Sequence, residues 1–111
     1  IQIIEKRIAT LEKKYKRSIN IGCFGLTFKP DIDDLRESPA LFITNKLIEN
    51  GHKVFISEPN ISYYSNFELY TIDQVVEKSD LLIFLVSHSS FKNINTFNKD
   101  VINLCGLKLG T

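Results

Sequence analysis

The sequence predicts an α/β domain built on an open parallel sheet with helices on both faces. Three observations carry that prediction. Short apolar runs alternate with helix-length segments in the order strand, helix, strand, helix, strand, which layers helices over a parallel sheet. Both helices between strands open on a recognisable cap, at Ser38-Pro39 and at Thr71-Ile72-Asp73-Gln74. The third strand, Leu81–Val86, is apolar at every position, as a strand buried on both faces must be.

An amphipathic helix comes first, because Ile1, Ile4, Ile8, Leu11 and Tyr15 recur at helical spacing. Residues 1–17 also carry Lys6, Arg7, Lys13, Lys14, Lys16 and Arg17 against only Glu5 and Glu12. A charge row interleaved with an apolar stripe is the solvated face of a helix, so no nucleic-acid partner is expected. The stripe should pack on a neighbouring domain or on the chain's own sheet. Ile19–Gly25 then reads as a strand, short, largely apolar and ended by glycine. A polar connection, Leu26–Glu37, is rich in acids and broken at Pro30. Ser38 caps the next helix, which runs to about Asn50 and stops at Gly51, the residue suited to a left-handed end. Its expected buried face is Ala40, Ile43 and Leu47, joined by Leu41 and Ile48.

Lys53–Glu58 is the second strand, and Thr71 opens a short helix over Ile72–Lys78. A last short strand fits Val101–Leu104. Between them, Ile61–Tyr70 fits neither period; its Tyr63, Tyr64, Phe67 and Tyr70 are expected to cover the sheet edge. The architecture is therefore a three-layer, Rossmann-like open parallel sheet preceded by a helix, with right-handed crossovers.

Composition narrows the function classes. The 111 residues fit one domain, with 43% hydrophobic and 24% charged residues and a net charge of +1. No apolar run approaches the length of a membrane span. Cys23 and Cys105 show no metal-ligand spacing and leave one disulfide open, which does not mark a secreted scaffold. The expectation is a cytoplasmic protein without a membrane partner. The chain begins at Ile1 and contains no Met, which reads as a fragment that starts inside a helix.

In open α/β sheets, ligands bind beyond the carboxyl ends of the strands. Three segments qualify: the connection after Gly25, the turn after Glu58, and Ser87-His88-Ser89-Ser90. A dinucleotide fingerprint needs G-x-G-x-x-G so that bare backbone can approach phosphates. Here Gly22 and Gly25 are the only glycines of the turn, and the acid at the end of strand two, Glu58, means little without the rest. The connection itself is richer, since Lys29 and Arg36 bracket Asp31, Asp33 and Asp34. Lys suits a phosphate as a point charge, and Arg can grip a planar or phosphorylated group through paired hydrogen bonds. The same residues also fit a polar loop whose acids and bases pair with each other.

The block Gly25-Leu26-Thr27-Phe28-Lys29-Pro30-Asp31-Ile32-Asp33-Asp34-Leu35-Arg36-Glu37-Ser38-Pro39-Ala40 closely resembles the start of the C-terminal, UDP-binding domain of the UDP-glucose/GDP-mannose dehydrogenase family. The likeness continues through Glu58-Pro59 and Leu85–Lys92 and covers nearly everything from Ile19 to Ile102. The resemblance implies an enzyme that oxidises the C6 alcohol of a nucleotide sugar to a carboxylate in two steps with NAD. In that family an N-terminal domain holds NAD, a central helical domain supplies the catalytic cysteine, and the third domain closes over the UDP-sugar. By the same resemblance, residues 1–17 are the tail of the helical region and residues 18–111 the UDP-sugar-binding domain. Phe28 and Lys29 contact substrate, Arg36 reaches the NAD held by the first domain, and His88, at a strand's carboxyl end, is a further substrate-binding candidate.

Neither Cys23 nor Cys105 is carried over as the nucleophile, and a homodimer or larger assembly is implied for the full-length protein. One departure stands out. The resemblance implies an Arg after the last strand, where this chain has Asn103-Leu104-Cys105-Gly106; either another base such as Lys108 substitutes, or substrate binding relies more on the other domains.

Two rivals belong to other classes. A phospho-acceptor receiver domain would use Asp33-Asp34 as part of an acidic metal pocket, but Val86-Ser87-His88 lacks the aspartate such a domain needs after strand three. A purely structural domain would use Phe28–Arg36 only to dock a neighbour.

Overall fold

Residues 1–107 are described by a computed structural model. Strands β1 (Asn20–Phe24), β2 (Lys53–Ser57), β3 (Leu81–Phe84) and β4 (Asp100–Asn103) form one sheet. All neighbouring strands are parallel, and their order is β2-β1-β3-β4. The predicted strands are each present, but the three longest end one or two residues earlier, where the chain leaves the ladder to build loops.

Helix α1 (Gln2–Tyr15) and helix α2 (Pro39–Glu49) cover one face of the sheet, and helix α3 (Ile72–Lys78) covers the other. On the first face, Ile4, Ile8 and Leu11 of α1 join Leu47 of α2 over Ile21, Cys23, Ile56 and Ile83. Helix α1 therefore packs on the chain's own sheet. Its stripe is shorter than the periodicity suggests: Ile1 and Tyr15, at the two ends, are exposed. On the second face, Phe24 stacks on Phe84 with ring centroids 4.5 Å apart, and Phe91 meets Phe24 edge-on at 5.5 Å. Each fully buried ring of this kind contributes roughly 1.5–3 kcal/mol.

The caps form as the sequence chemistry requires. The Leu41 amide donates to Ser38 Oγ at 3.2 Å, with Pro39 in the first turn. At the far end, Gly51 has φ +89°, the Gly51 amide donates to Ile48 O, and the His52 amide donates to Leu47 O. That pair of bonds satisfies two carbonyls the helix leaves free. Thr71 and Gln74 exchange both bonds of a capping box. One expectation for α2 is corrected: Thr44 takes an inner position, whereas Ile48 is exposed, because the helix presents Ala40, Thr44 and Leu47 to the sheet. Along β2, the sheet's edge strand, the Tyr70 amide donates to Ile56 O at 2.8 Å and its ring lies edge-on to Phe55, so this residue does cover the edge. Tyr63 points to solvent. Cys23 and Cys105 are free thiols.

The strand order creates the functional geometry. From β1 the chain moves outward to β2 over one face, then returns past β1 to β3 over the other. The loops after β1 and β3 therefore diverge to opposite faces and leave a crevice between the strand ends.

Candidate functional site

That crevice has a volume of about 260 Å³ and is lined by Thr27, Phe28, Pro39, Val86, Ser87 and Cys105, among others. Phe28 is half exposed at its wall. The Lys29 ammonium lies 5.8 Å from the centroid of the Phe28 ring. Among the described residues Lys29 makes no salt bridge, despite three aspartates in the same loop. Arg36 behaves differently. Its Nε and Nη2 donate to the two oxygens of Asp34 at 3.0 and 2.9 Å. That pairing holds the Asp34 carboxyl down at about 2 and raises the Arg36 guanidinium. The Arg36 side chain is nonetheless 88% exposed, so the pair is screened by water and can be exchanged for another anion.

Sequence reasoning expected bare backbone at Gly22 and Gly25 to be too little for a pyrophosphate, and the structure shows how these glycines are used. A Cβ on Gly22 would lie 2.7 Å from both Ser79 Oγ and Val75 Cγ1, so this glycine lets α3 approach β1. Gly25 has φ +100°, and a Cβ there would lie 2.6 Å from Val86 Cβ. Both are committed to packing, and the described residues form no dinucleotide cradle.

A buried network behind the crevice was missed at the sequence level. Glu58, just past the end of β2, turns inward and is almost fully buried. Its Oε1 accepts from the Leu26 amide at 2.7 Å, the Thr27 amide at 3.2 Å and His88 Nε2 at 2.8 Å. Its Oε2 accepts from the Asn60 amide at 2.8 Å. Burial pushes the Glu58 carboxyl up, but hydrogen bonds from His88, Leu26 and Asn60 outweigh it and leave the group below its ordinary range. One carboxylate thus ties together the loops that leave β1, β2 and β3. The register brings them together: Phe24 stands beside Ser57 and Phe84, so the residues following all three converge.

His88 departs from the substrate contact expected of it. Its side chain is fully buried, and both ring nitrogens are engaged inside the protein. Nδ1 accepts from the Asp31 amide at 2.8 Å; because an amide can only donate, Nε2 carries the ring proton and gives it to Glu58. Burial of a rim histidine follows from Phe91, which packs 5.3 Å from the imidazole and draws the turn inward. Asp31 is fastened to the same turn: its carboxylate accepts from the Ser89 amide at 2.7 Å and the Ser89 hydroxyl at 2.6 Å. These bonds, the hydroxyl first, lower the Asp31 carboxyl and hold a residue whose φ is +60°. Cys105 lines the crevice; Lys108, named above as a possible substitute base, lies outside the described residues.

A larger groove of about 970 Å³ runs beside α3, lined by Thr71, Asp73, Val76, Lys92, Asn95 and Phe97. It lies apart from the Phe28–Arg36 loop and includes none of the residues that the resemblance marks.

Comparison with known proteins agrees with this geometry. Residues 22–104 match the family model of the UDP-glucose/GDP-mannose dehydrogenase family, UDP binding domain. The UDP-N-acetyl-D-mannosamine dehydrogenase of Campylobacter jejuni is 38% identical over 108 residues, covering 88% of this chain and 26% of the relative. The enzyme of that name from Escherichia coli K12 is 42% identical over 92 residues, covering 77% and 22%. Among solved structures, the UDP-N-acetyl-mannosamine dehydrogenase of S. aureus superposes with a TM-score of 0.74 at 27% identity, over 92% of this chain and 26% of that one. The chain thus spans about a quarter of the length of the curated relatives it matches.

Proposed function

Because this chain belongs to the UDP-glucose/GDP-mannose dehydrogenase family, in which it is a UDP binding domain, we propose that it is the nucleotide-sugar-binding part of a cytoplasmic, NAD-dependent UDP-sugar 6-dehydrogenase. Its substrate is UDP-N-acetyl-D-mannosamine, which the whole enzyme oxidises to the uronate for surface polysaccharide. The relatives of that name support the choice of sugar. In this reading Phe28 walls the crevice and Lys29 faces the diphosphate.

The observation that carries the reading is the state of Lys29: an exposed ammonium beside a switch-point crevice, unpaired among the described residues although aspartates stand close by in sequence. Two of the loop's acids are engaged elsewhere, Asp34 with Arg36 and Asp31 with Ser89. That arrangement leaves the Lys29 ammonium free to meet an anionic ligand. It also disfavours the receiver reading, in which Asp34 would have to be free for a metal.

In this reading the NAD is bound by another part of the enzyme, which the packing of Gly22 and Gly25 against Val75, Ser79 and Val86 supports. Arg36, exposed at the rim, is its proposed contact from this side. The assembled enzyme is a homodimer or larger.

Titration of UDP-N-acetyl-D-mannosamine into isotope-labelled chain tests the reading through amide shifts. They should cluster at residues 26–36 and 85–89, and Lys29→Ala should weaken binding by about tenfold or more, the worth of one charge-assisted contact. Shifts confined to the groove beside α3 would move the site. No shift at all would favour the docking-domain reading.

A further inference from the structure

The Phe28–Lys29 segment lies in neither helix nor strand, so something else must hold its direction. The Phe28 amide donates to the Asp34 carbonyl at 2.8 Å, and one imidazole adds the rest. His88 grips the chain on both sides of Lys29: Nδ1 takes the Asp31 amide at 2.8 Å, and Nε2 lies 3.2 Å from Thr27 Oγ1. The Thr27 hydroxyl in turn donates to the carbonyl of Lys29 itself at 2.9 Å. Glu58 sets the tautomer by accepting the Nε2 proton, and the Asp31–Ser89 pair closes the clasp from outside.

We propose that His88 is a positioning residue: it never touches the ligand, but it aims Lys29 at it by clamping residues 27 and 31. This inference rests on the functional reading above, in which Lys29 meets the UDP-sugar. It adds a role for a buried residue and a testable division of labour between its two nitrogens. Nδ1 holds the loop directly at Asp31, whereas Nε2 gives its proton chiefly to Glu58, at 2.8 Å against 3.2 Å to Thr27 Oγ1.

The nitrogens can be removed one at a time. His88→Asn keeps a polar atom near Nδ1 and drops the donor to Glu58. His88→Gln keeps a donor near Nε2 and drops the acceptor for Asp31. Both variants are measured for affinity to UDP-N-acetyl-D-mannosamine and for thermal unfolding, with Lys29 intact and with Lys29→Ala.

The expected result is a dissociation of binding from stability. His88→Gln weakens binding by about fivefold while unfolding near the parent temperature; His88→Asn binds within about twofold of the parent but unfolds earlier. With Lys29→Ala in place, His88→Gln should add less than about twofold, because its effect acts through Lys29. Ser89→Ala, an exposed change that loosens the same clasp, should weaken binding about twofold in the same Lys29-dependent way, and it decides the matter if a His88 variant does not fold.

Affinity that simply follows stability across both variants, or a His88→Gln effect undiminished without Lys29, overturns the proposal. If the parent binds and Lys29→Ala weakens it while the His88 and Ser89 variants change nothing, only this inference falls. A parent chain that binds no UDP-sugar overturns the functional reading, and this inference with it.

Discussion

Replacing Glu58 by glutamine changes the buried network by one atom and one charge, so its cost can be worked from the geometry. Three donors converge on Oε1 and one on Oε2. A glutamine must turn its oxygen to the three and its amide to the fourth, which leaves the Asn60 N–H facing another donor. The three retained bonds each weaken by about 1 kcal/mol on losing a charged acceptor, and the orphaned amide costs about 1–2 kcal/mol more. Relief from burying a charge offsets part of that. The expected net loss is about 2–4 kcal/mol, or roughly 10–20 °C in Tm for a domain of this size.

The pH dependence gives a second, sharper reading. The folded carboxyl of Glu58 lies below its ordinary value, so its contribution is fully present above about pH 4.3 and is lost as pH falls through the folded value. Glu58→Gln should therefore be less stable than the parent near neutral pH, and the gap should close under acid. Urea unfolding followed by circular dichroism across that range measures both effects. A variant within 0.5 kcal/mol of the parent near neutral pH, a difference usual for surface changes, would show that the four bonds do not hold the loops. So would a gap that stays constant into acid.

Further outcomes follow from single features. Gly25→Ala should cost about 2–4 kcal/mol, because its φ of +100° is strained and the new Cβ meets the Val86 backbone nitrogen at 3.0 Å. Gly51→Ala shares the positive φ but has nothing within 4 Å, so it should cost only about 1 kcal/mol; parallel urea titrations compare the two. The Cys23 thiol is pushed up to about 12 by burial. A colorimetric thiol reagent should therefore find only Cys105 in the folded chain and both thiols in denaturant, and early labelling of Cys23 would contradict its burial. The 111-residue chain alone should form no NADH from NAD and UDP-N-acetyl-D-mannosamine, and steady NADH formation would refute the division of labour proposed here.

What was legible in the amino-acid order was whatever depends on neighbours along the chain. The capping box at Thr71-Gln74, the Ser38-Pro39 helix start, the Gly51 stop and the apolar third strand are local chemistry, and each appears where the residues require it. The Phe28–Arg36 loop was also legible as the place to look, since its residue types and its position after β1 are both one-dimensional facts. The length of the α1 stripe and the inner face of α2 were less so, because periodicity shows which residues share a face but not where the sheet beneath it ends. That is why Ile1, Tyr15 and Ile48 are exposed and Thr44 is buried.

The partners of the loop were decided only by folding. Lys29 and Arg36 look equivalent in sequence, yet one stands clear of the aspartates and the other is held by Asp34, a choice made by the path of the backbone between them. Glu58 and His88 are 30 residues apart, and nothing local marks them as a pair. They meet because parallel pairing brings the ends of β1, β2 and β3 to the same level. There, one buried carboxylate can satisfy amides of the loops after β1 and β2 and the imidazole of the loop after β3, which would otherwise be left without a partner.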